Sequence, residues 1–423
     1  MGNRLQYNFL IFCFVWFFLI DYVLNDIGLS SIAVYSNYIL YIFFALRLLY
    51  FLFFKPSSFA SQRGNLFFRR SSIWLLIFVA YASFQIILNP NLSSFAYFRQ
   101  NYSVVIPSFS LAILTGRVAL KSGRGDNKLF RSLYWVMAVV IVYSEINFIG
   151  SFSSQSGADD FRAGGIFDQA NNYGYFLTLF AIISFFDLTN LIRVNRLRLV
   201  TIIGLVICLI AILRTGSYGA LIFTTAIGLF LSYRYLIRLS TIKLISTIVL
   251  LIAVTGAIVG FGQSISSARV KALGSLLSEG SDEEVRNQST FDVRFELILK
   301  GLESSADSPI VGKGFKARDI SLDETLVPVH NVFLVEFLKG GVVGLAIILM
   351  LYYQFWKSSR NIINKSRSRM ALVLLFYIFL IDNTLTYSSF LSMNSGVIAV
   401  ALITALILFD AYEYDKSRLG VQK

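Results

Sequence analysis

The hydrophobic positions of this chain fall in long, nearly unbroken blocks separated by short polar joints. With soft boundaries the blocks cover residues 8–24, 31–54, 71–88, 101–119, 130–150, 170–192, 197–213, 217–234, 243–262, 330–356, 370–387 and 390–410. Most approach the roughly 20 residues that an α-helix needs to cross a bilayer. They are apolar on every side, as lipid requires of a spanning helix. The pattern predicts an all-α fold, a polytopic transmembrane helical bundle of about twelve helices. The joints at 192–197 and 387–390 are short, so those are the places where the count is easiest to mistake.

One long hydrophilic segment, 263–329, interrupts the series. It divides the chain into 1–262 with helices one to nine, 263–329 as a long periplasmic or extracellular loop, and 330–423 with helices ten to twelve and a tail. Inside the loop, Phe291, Phe295, Ile298 and Leu302 recur every three or four residues, which predicts a short amphipathic helix. Ser308-Pro309 and Gly312-Lys313-Gly314 then break it.

Charge fixes the direction. Every second joint is basic: Arg4; then Lys55, Arg63, Arg69 and Arg70; then Arg117, Lys121, Arg124, Lys128 and Arg131; then Arg193, Arg196 and Arg198; then Arg234, Arg238 and Lys243; then Lys357, Arg360, Lys365, Arg367 and Arg369; then the tail. The joints between carry few cations, and one is acidic, with Asp159, Asp160 and Asp168. Short cytoplasmic loops collect Lys and Arg, so both termini are expected in the cytoplasm and the long loop on the outer face of an inner membrane. Arg4 precedes the apolar run Phe9–Ile20 with no small-x-small cleavage site after it, which reads as a first membrane helix and not a removable signal.

Composition agrees. Of 423 residues 56% are hydrophobic and only 14% charged, against roughly 25% charged in soluble domains. The net charge of +13 is explained by the basic joints, so it carries no nucleic-acid reading. Cys13 and Cys208 both lie in apolar blocks, which argues against a disulfide framework.

The outer face holds the unusual chemistry. Arg99, Arg162, Arg214 and Arg294 lie at or near outer helix ends, against the charge rule. A guanidinium is a planar fork of donors suited to phosphate. Each arginine has a plainer reading, pairing with a nearby carboxylate such as Asp159 or Asp160. For the set of four, a shared anionic ligand is preferred. His330 is the single histidine and stands where the long loop meets helix ten, beside Asn331 and near Glu336. A neutral imidazole there can accept a proton near pH 7, although a lone histidine is usually structural. With one histidine and no cysteine cluster, a histidine-based metal site is excluded. Within the apolar blocks, Glu145, Glu336, Lys339 and Asp382 are ionisable and therefore functional candidates. Glu336 and Lys339 are spaced for an i,i+3 ion pair, the plainer reading of both. Arg47, near an inner helix end, snorkels. No Walker or Rossmann glycine motif faces the cytoplasm, and no soluble domain is large enough for a nucleotide sugar.

Three stretches, in order, resemble the O-antigen ligase and polymerase superfamily of bacterial membrane glycosyltransferases, the Wzy-like polymerases and WaaL-like ligases. Arg162-Ala163-Gly164-Gly165-Ile166-Phe167-Asp168-Gln169-Ala170-Asn171-Asn172 is similar to the family's Arg-x-x-Gly-x-Phe-x-x-Pro-Asn. Leu213-Arg214-Thr215-Gly216-Ser217-Tyr218-Gly219-Ala220 is similar to its Thr-x-Ser-Arg-Gly-Ala. The run from Arg294 through Pro309-Ile310-Val311-Gly312-Lys313-Gly314 to His330-Asn331-Val332-Phe333-Leu334 and Gly340-Gly341-Val342-Val343-Gly344 matches the long outer loop, its closing His-Asn and the glycine-rich helix beyond. Two departures stand out. Tyr218 occupies the usual arginine position, with Arg214 one turn earlier, and Asp168-Gln169-Ala170 replaces the proline before Asn171.

The resemblance implies a glycan donor carried on a polyprenyl pyrophosphate, typically undecaprenyl, and a glycan or lipid A core as acceptor. It implies no metal or nucleotide cofactor, since pyrophosphate is already a good leaving group. Membrane lipids and a chain-length regulator are the further partners. Arg162 and Arg294 would hold phosphate, Arg99 and Arg214 more weakly, and His330 would act as base. Asn171, Asn331, Tyr218 and Glu336 complete the expected substrate contacts. Polymerisation of repeat units is preferred over ligation of finished glycan. A lipid-linked oligosaccharide flippase is the alternative from another class, disfavoured because the chain shows no two related halves.

Overall fold

The computed structural model of the protein describes residues 125–152, 170–188, 195, 198–215, 217, 220, 221, 223–225, 290–314, 319–322, 325–328 and 331–363, with scattered positions between 8 and 87. Four helices lie over apolar blocks: α1 (Gly125–Phe152), α2 (Ala170–Leu188), α3 (Arg198–Thr215) and α5 (Val332–Ile363). A fifth, α4 (Thr290–Ser305), lies in the long hydrophilic segment. It is followed by a two-stranded antiparallel hairpin, β1 (Asp319–Leu322) with β2 (Thr325–Pro328), in which Asp319 pairs with Pro328 and Leu322 with Thr325. The expectation for this segment contained helices only, so the hairpin is an addition to it. The remaining apolar blocks fall largely or wholly outside the described residues.

The chain forms two compact units. One comprises Ile11–Ala33 and Asn127–Arg286; the other comprises Met1–Leu10, Val34–Asp126 and Asn287–Lys423.

In the first unit α2 and α3 form an antiparallel pair. Asp187 and Thr201 meet at the turn end, where the Thr201 hydroxyl and the Asn195 backbone N–H both donate to the Asp187 carboxylate. Midway, the Cys208 thiol donates to the Leu177 carbonyl at 3.1 Å. α1 runs beside α3 in the same direction, since Tyr134 donates to the Val200 carbonyl at one end and Glu145 meets Arg214 at the other. α3 is long and apolar enough to cross a membrane. Its outward residues Ile203, Val206 and Ile210 are exposed, while Leu205, Cys208 and Ile212 are buried. Lipid permits that pattern because both faces are apolar.

In the second unit α5 departs from the expected single crossing over 330–356. Gly341 holds φ 58° and ψ −154°, far from helical values. The short arm, 332–340, folds back along the long arm, 342–363. The Phe333 and Tyr352 rings lie 5.4 Å apart edge to face, whereas an unbroken helix would separate these residues by about 28 Å. The backbone carbonyl of Glu336 also packs against Gly344. Glycine is the only residue at ease with the Gly341 dihedrals. The Gly340-Gly341 pair therefore turns one apolar block into two helical arms.

The loop 306–314 supplies the hydrogen bonds this turn disrupts. In a straight helix Val342 N–H would donate to the Leu338 carbonyl. Here it donates to the Pro309 carbonyl at 2.8 Å. The Leu338 carbonyl accepts instead from Lys313 N–H at 2.8 Å, and the Lys339 carbonyl from Gly314 N–H at 2.9 Å. Gly312 approaches the backbone of Lys339 and Gly340 so closely that a Cβ would collide with it. Lys313 Nζ braces the loop from the other side, on Asp307 at 2.7 Å and Ser304 at 3.0 Å. The Val342 N–H and the Leu338 and Lys339 carbonyls thus regain partners outside the helix, as burial demands.

α4 packs on the short arm. Leu297, buried, sits in a cluster with Leu334, Val335 and Leu338, flanked by Ile298 and Phe337. Gly301 and Ser305 continue the buried stripe. The helix stands where the sequence places it, but the apolar residues that revealed it do not form its buried face. Phe295 and Leu302 are exposed, while Ile298 joins the core. Period alone identifies an apolar stripe; it does not say which stripe meets the protein.

Candidate functional site

Each unit places a group of the expected residues. In the first, three helix ends gather. Arg214, in the last turn of α3, donates from Nη1 to Glu145 Oε2 at 2.7 Å, and the Tyr173 hydroxyl in the first turns of α2 donates to Glu145 Oε1 at 3.0 Å. The plainer reading of Arg214, a carboxylate partner, is therefore realised, with Glu145 in place of Asp159 or Asp160. The Arg214 side chain keeps 33% exposure while Glu145 is at 13%, so the guanidinium still reaches the surface. Tyr173 was not anticipated. The signal available was its place two residues after Asn171, in the first turn of a helix opening beside the conspicuous arginine stretch.

The stretch Leu213–Ala220 ends α3. The Thr215 hydroxyl donates to the Ile212 carbonyl at 2.7 Å and accepts from Ser217 N–H at 3.1 Å, closing the helix, and residues 220, 221 and 223–225 are helical again. Ser217 and Ala220 lie against Gly174 of α2, where a Cβ would come within 2.9 Å of either side chain. Thr224 donates to Thr178 at 3.1 Å, and Thr178 to the Gly174 carbonyl at 2.9 Å. Small residues and hydroxyls thus let the segment beyond α3 approach α2 closely, the usual currency of helix packing in lipid.

In the second unit, Asn331 Oδ1 accepts from Leu334 N–H at 3.1 Å and so caps the short arm of α5. His330 immediately precedes this cap in sequence and lies outside the described residues. Glu336 and Lys339 form the expected i,i+3 pair, at 3.4 Å, with side chains 2% and 1% exposed. Arg294 belongs to the first turns of α4. It stands three residues before Leu297 and four before Ile298 in sequence and is placed by its backbone alone. Arg99, Arg162 and Tyr218 lie outside the described residues, and Asn171 is placed by its backbone alone, in the first turn of α2.

The direction of α4 matters. Leu297 meets residues 334–338, while the loop beyond the helix end meets 338–342. The two helices therefore run in the same sense. The first turns of α4, with Arg294, point toward the capped start of the short arm.

Residues 203–349 match the Wzy_C family, O-antigen ligase. This match over about a third of the chain supports its resemblance to the O-antigen ligase and polymerase superfamily. The matched span runs from α3 through α4 and the docked loop to the long arm of α5. It includes the second and third resembling stretches and excludes the first, around Arg162. The elements it covers are the ones that hold Arg214, Arg294 and Asn331. No curated protein matches the chain in a sequence comparison.

Proposed function

We propose that this protein is a metal-independent membrane glycosyltransferase that polymerises polyprenyl-pyrophosphate-linked oligosaccharide repeat units into a surface polysaccharide. The observation that carries the reading is the α4–α5 junction. α4, which carries Arg294 in its first turns, packs through Leu297 on the short arm, and both helices start at the end where the sequence puts His330. In this reading a cation from the start of α4 and a base from the residue before the short arm work at one place. The short arm also begins there, and the free N–H groups of a helix N-terminus favour an anion.

In this reading Arg294, with Arg162, grips the pyrophosphate and stabilises the charge that grows on it as it leaves. Arg214, oriented by Glu145 and Tyr173, contributes a further positive edge, with Arg99 the weakest candidate. His330 accepts the proton of the attacking sugar hydroxyl. The glycosidic bond forms at the anomeric carbon as its bond to the pyrophosphate oxygen breaks. Asn331, through its cap, fixes the helix start from which His330 extends. The donor is an undecaprenyl-pyrophosphate glycan in the outer leaflet of the inner membrane, and the acceptor is the next lipid-linked unit. The second reading, ligation of finished glycan to a lipid A core or another acceptor, draws support from the description of the matched family.

Deleting the gene and resolving surface and lipid-linked glycans on a gel separates them. Loss of the long ladder, with single repeat units still reaching their final acceptor, is the expected result. Long glycan retained on the polyprenyl carrier would make the protein a ligase. His330→Ala is expected to lower transfer about 100-fold or more, the usual contribution of a general base. Unchanged polymer from that variant would remove His330 from the mechanism.

A further inference from the structure

The exposed side of α4 is not uniform. At about 100° per residue, the buried stripe of Leu297, Ile298, Gly301 and Ser305 separates two different flanks. One carries Glu296, Lys300 and Glu303, with Lys300 paired to Glu296 at 2.9 Å. The other carries Phe295, Leu299 and Leu302, which are 57%, 47% and 48% exposed. A helix surrounded by water gains nothing by gathering three large apolar side chains on one exposed flank and its charges on the other. A helix at a lipid–water boundary does.

The apolar flank also has a continuation. Ile310 and Val311 in the docked loop are exposed. The bond from Val342 N–H to the Pro309 carbonyl sets them beside the start of the long arm of α5, where Val342 and Val343 are exposed as well. From there Leu349, Met350 and Tyr353 carry an exposed apolar face down the long arm. If the long arm crosses the bilayer, as the proposed function requires, this face meets lipid. The loop, which leaves the end of α4, adds Ile310 and Val311 to this face.

We propose that Phe295, Leu299, Leu302, Ile310 and Val311 form a membrane-docking surface that rests on the acyl chains of the bilayer. α4 is thereby an interfacial helix, and not part of a loop held clear of the membrane. Its charged flank faces water, and its buried stripe holds the short arm of α5. This goes beyond the assigned reaction: it gives the hydrophilic segment a lipid contact that fixes the height of the junction bearing Arg294.

The test is nitroxide labelling of the full chain in vesicles of phosphatidylethanolamine and phosphatidylglycerol. Single cysteines replace Leu299, Leu302, Glu303 and Leu349 in turn, in a Cys13→Ser background with the buried Cys208 left in place. Collisions with oxygen report lipid, and collisions with a water-soluble nickel chelate report solvent. Leu299→Cys and Leu302→Cys are expected to favour oxygen severalfold, as Leu349→Cys does, while Glu303→Cys favours nickel. Nickel access at Leu299 and Leu302 with oxygen access at Leu349 would overturn the docking surface and leave the crossing intact. Nickel access at Leu349 as well would overturn both. Low access to either reagent at Leu299 and Leu302 would mean that protein, another segment or a second copy, covers the flank, and it too overturns the proposal.

Discussion

The α2–α3 pair and the α4–α5 junction are both helical, both apolar and both dependent on glycine, yet they are built on different principles. Between α2, α3 and the segment after it, each helix keeps its own backbone hydrogen bonds. The contact is made by side chains: Gly174 gives space to Ser217 and Ala220, and Thr178, Thr224 and Cys208 donate across or along the interface. At the α4–α5 junction the backbone itself is shared. Helical hydrogen bonds of α5 are surrendered at Gly341 and replaced by bonds to a loop about thirty residues earlier in the chain. The first arrangement tolerates small adjustments because helices can shift. The second is a single interlocked turn, and a change at its centre removes several bonds together.

Ion pairs give the largest contrast. Glu336 and Lys339 are both sealed in the second unit, whereas Glu145 and Arg214 retain contact with the surface. Removing one member of a buried pair leaves a desolvated charge and costs about 3–5 kcal/mol. Glu336→Ala is therefore expected to abolish or severely reduce folded protein, read by size-exclusion and thermal melting in detergent. Glu145→Ala should cost about 1 kcal/mol, because Arg214 stays a third exposed and an exposed pair contributes little. Its larger effect should fall on the donor KM, through the loss of Arg214 orientation. Equal melting of the two variants would contradict the contrast.

Glycine gives the next. Gly341→Ala forces a side chain onto dihedrals that essentially only glycine adopts, about 1–3 kcal/mol, and drives a Cβ into the backbone of Pro309 and Ile310. Gly174→Ala keeps a regular helix. Its overpacking against the Cβ atoms of Ser217 and Ala220, about 1–3 kcal/mol, is only partly offset by the roughly 1 kcal/mol that alanine gains over glycine in a helix. Thermal melting of both variants should show a clear drop for Gly341 and a smaller one for Gly174. A drop at Gly174 as large as that at Gly341 would mean that space limits both regions alike.

Much of the first arrangement was legible in the sequence. The blocks at 130–150, 170–192 and 197–213 became α1, α2 and α3 to within a few residues, because an apolar run with polar ends leaves little choice in lipid. The pairing of Arg214 with Glu145 was not legible, since it joins residues 69 positions apart. The second arrangement was legible only in parts. Gly312-Lys313-Gly314 and Gly340-Gly341 were each visible as glycine-rich, but their mutual docking depends on backbone bonds that no local pattern encodes. The block at 330–356 looked like one crossing because hydropathy counts apolar residues and is blind to one dihedral. The buried face of α4 was not legible for a related reason: Phe295 and Leu302 satisfy the period as well as Leu297 does, and only the position of α5 decides between them. For the site, Asn331 was expected to touch substrate, and its described bond is a helix cap.

That cap supplies a smaller effect that sharpens the comparison. Asn331→Ala removes the acceptor for Leu334 N–H and should cost about 1 kcal/mol. Asn331→Asp restores the acceptor and should recover stability. If Asn331 serves only as a cap, glycan transfer recovers with it. If transfer stays low while melting recovers, the side-chain amide has a separate role beside His330.

The smallest expected effect tests whether the charged flank of α4 contributes to the junction at all. Glu296 and Lys300 are spaced i,i+4 with glutamate on the N-terminal side, the favourable order, and both side chains are exposed, 50% and 36%. Such a pair is worth about 0.3–0.5 kcal/mol and weakens with salt. Glu296→Ala should therefore leave melting nearly unchanged, and what change there is should vanish in high salt. Leu297→Ala, one residue along the same helix, deletes a buried side chain from the cluster with Leu334, Val335 and Leu338 and should cost about 2–5 kcal/mol. Adjacent substitutions on one helix would then differ several-fold because one faces α5 and the other does not. If Glu296→Ala destabilised as much as Leu297→Ala, α4 would be rotated on the short arm, with Glu296 and not Leu297 facing α5.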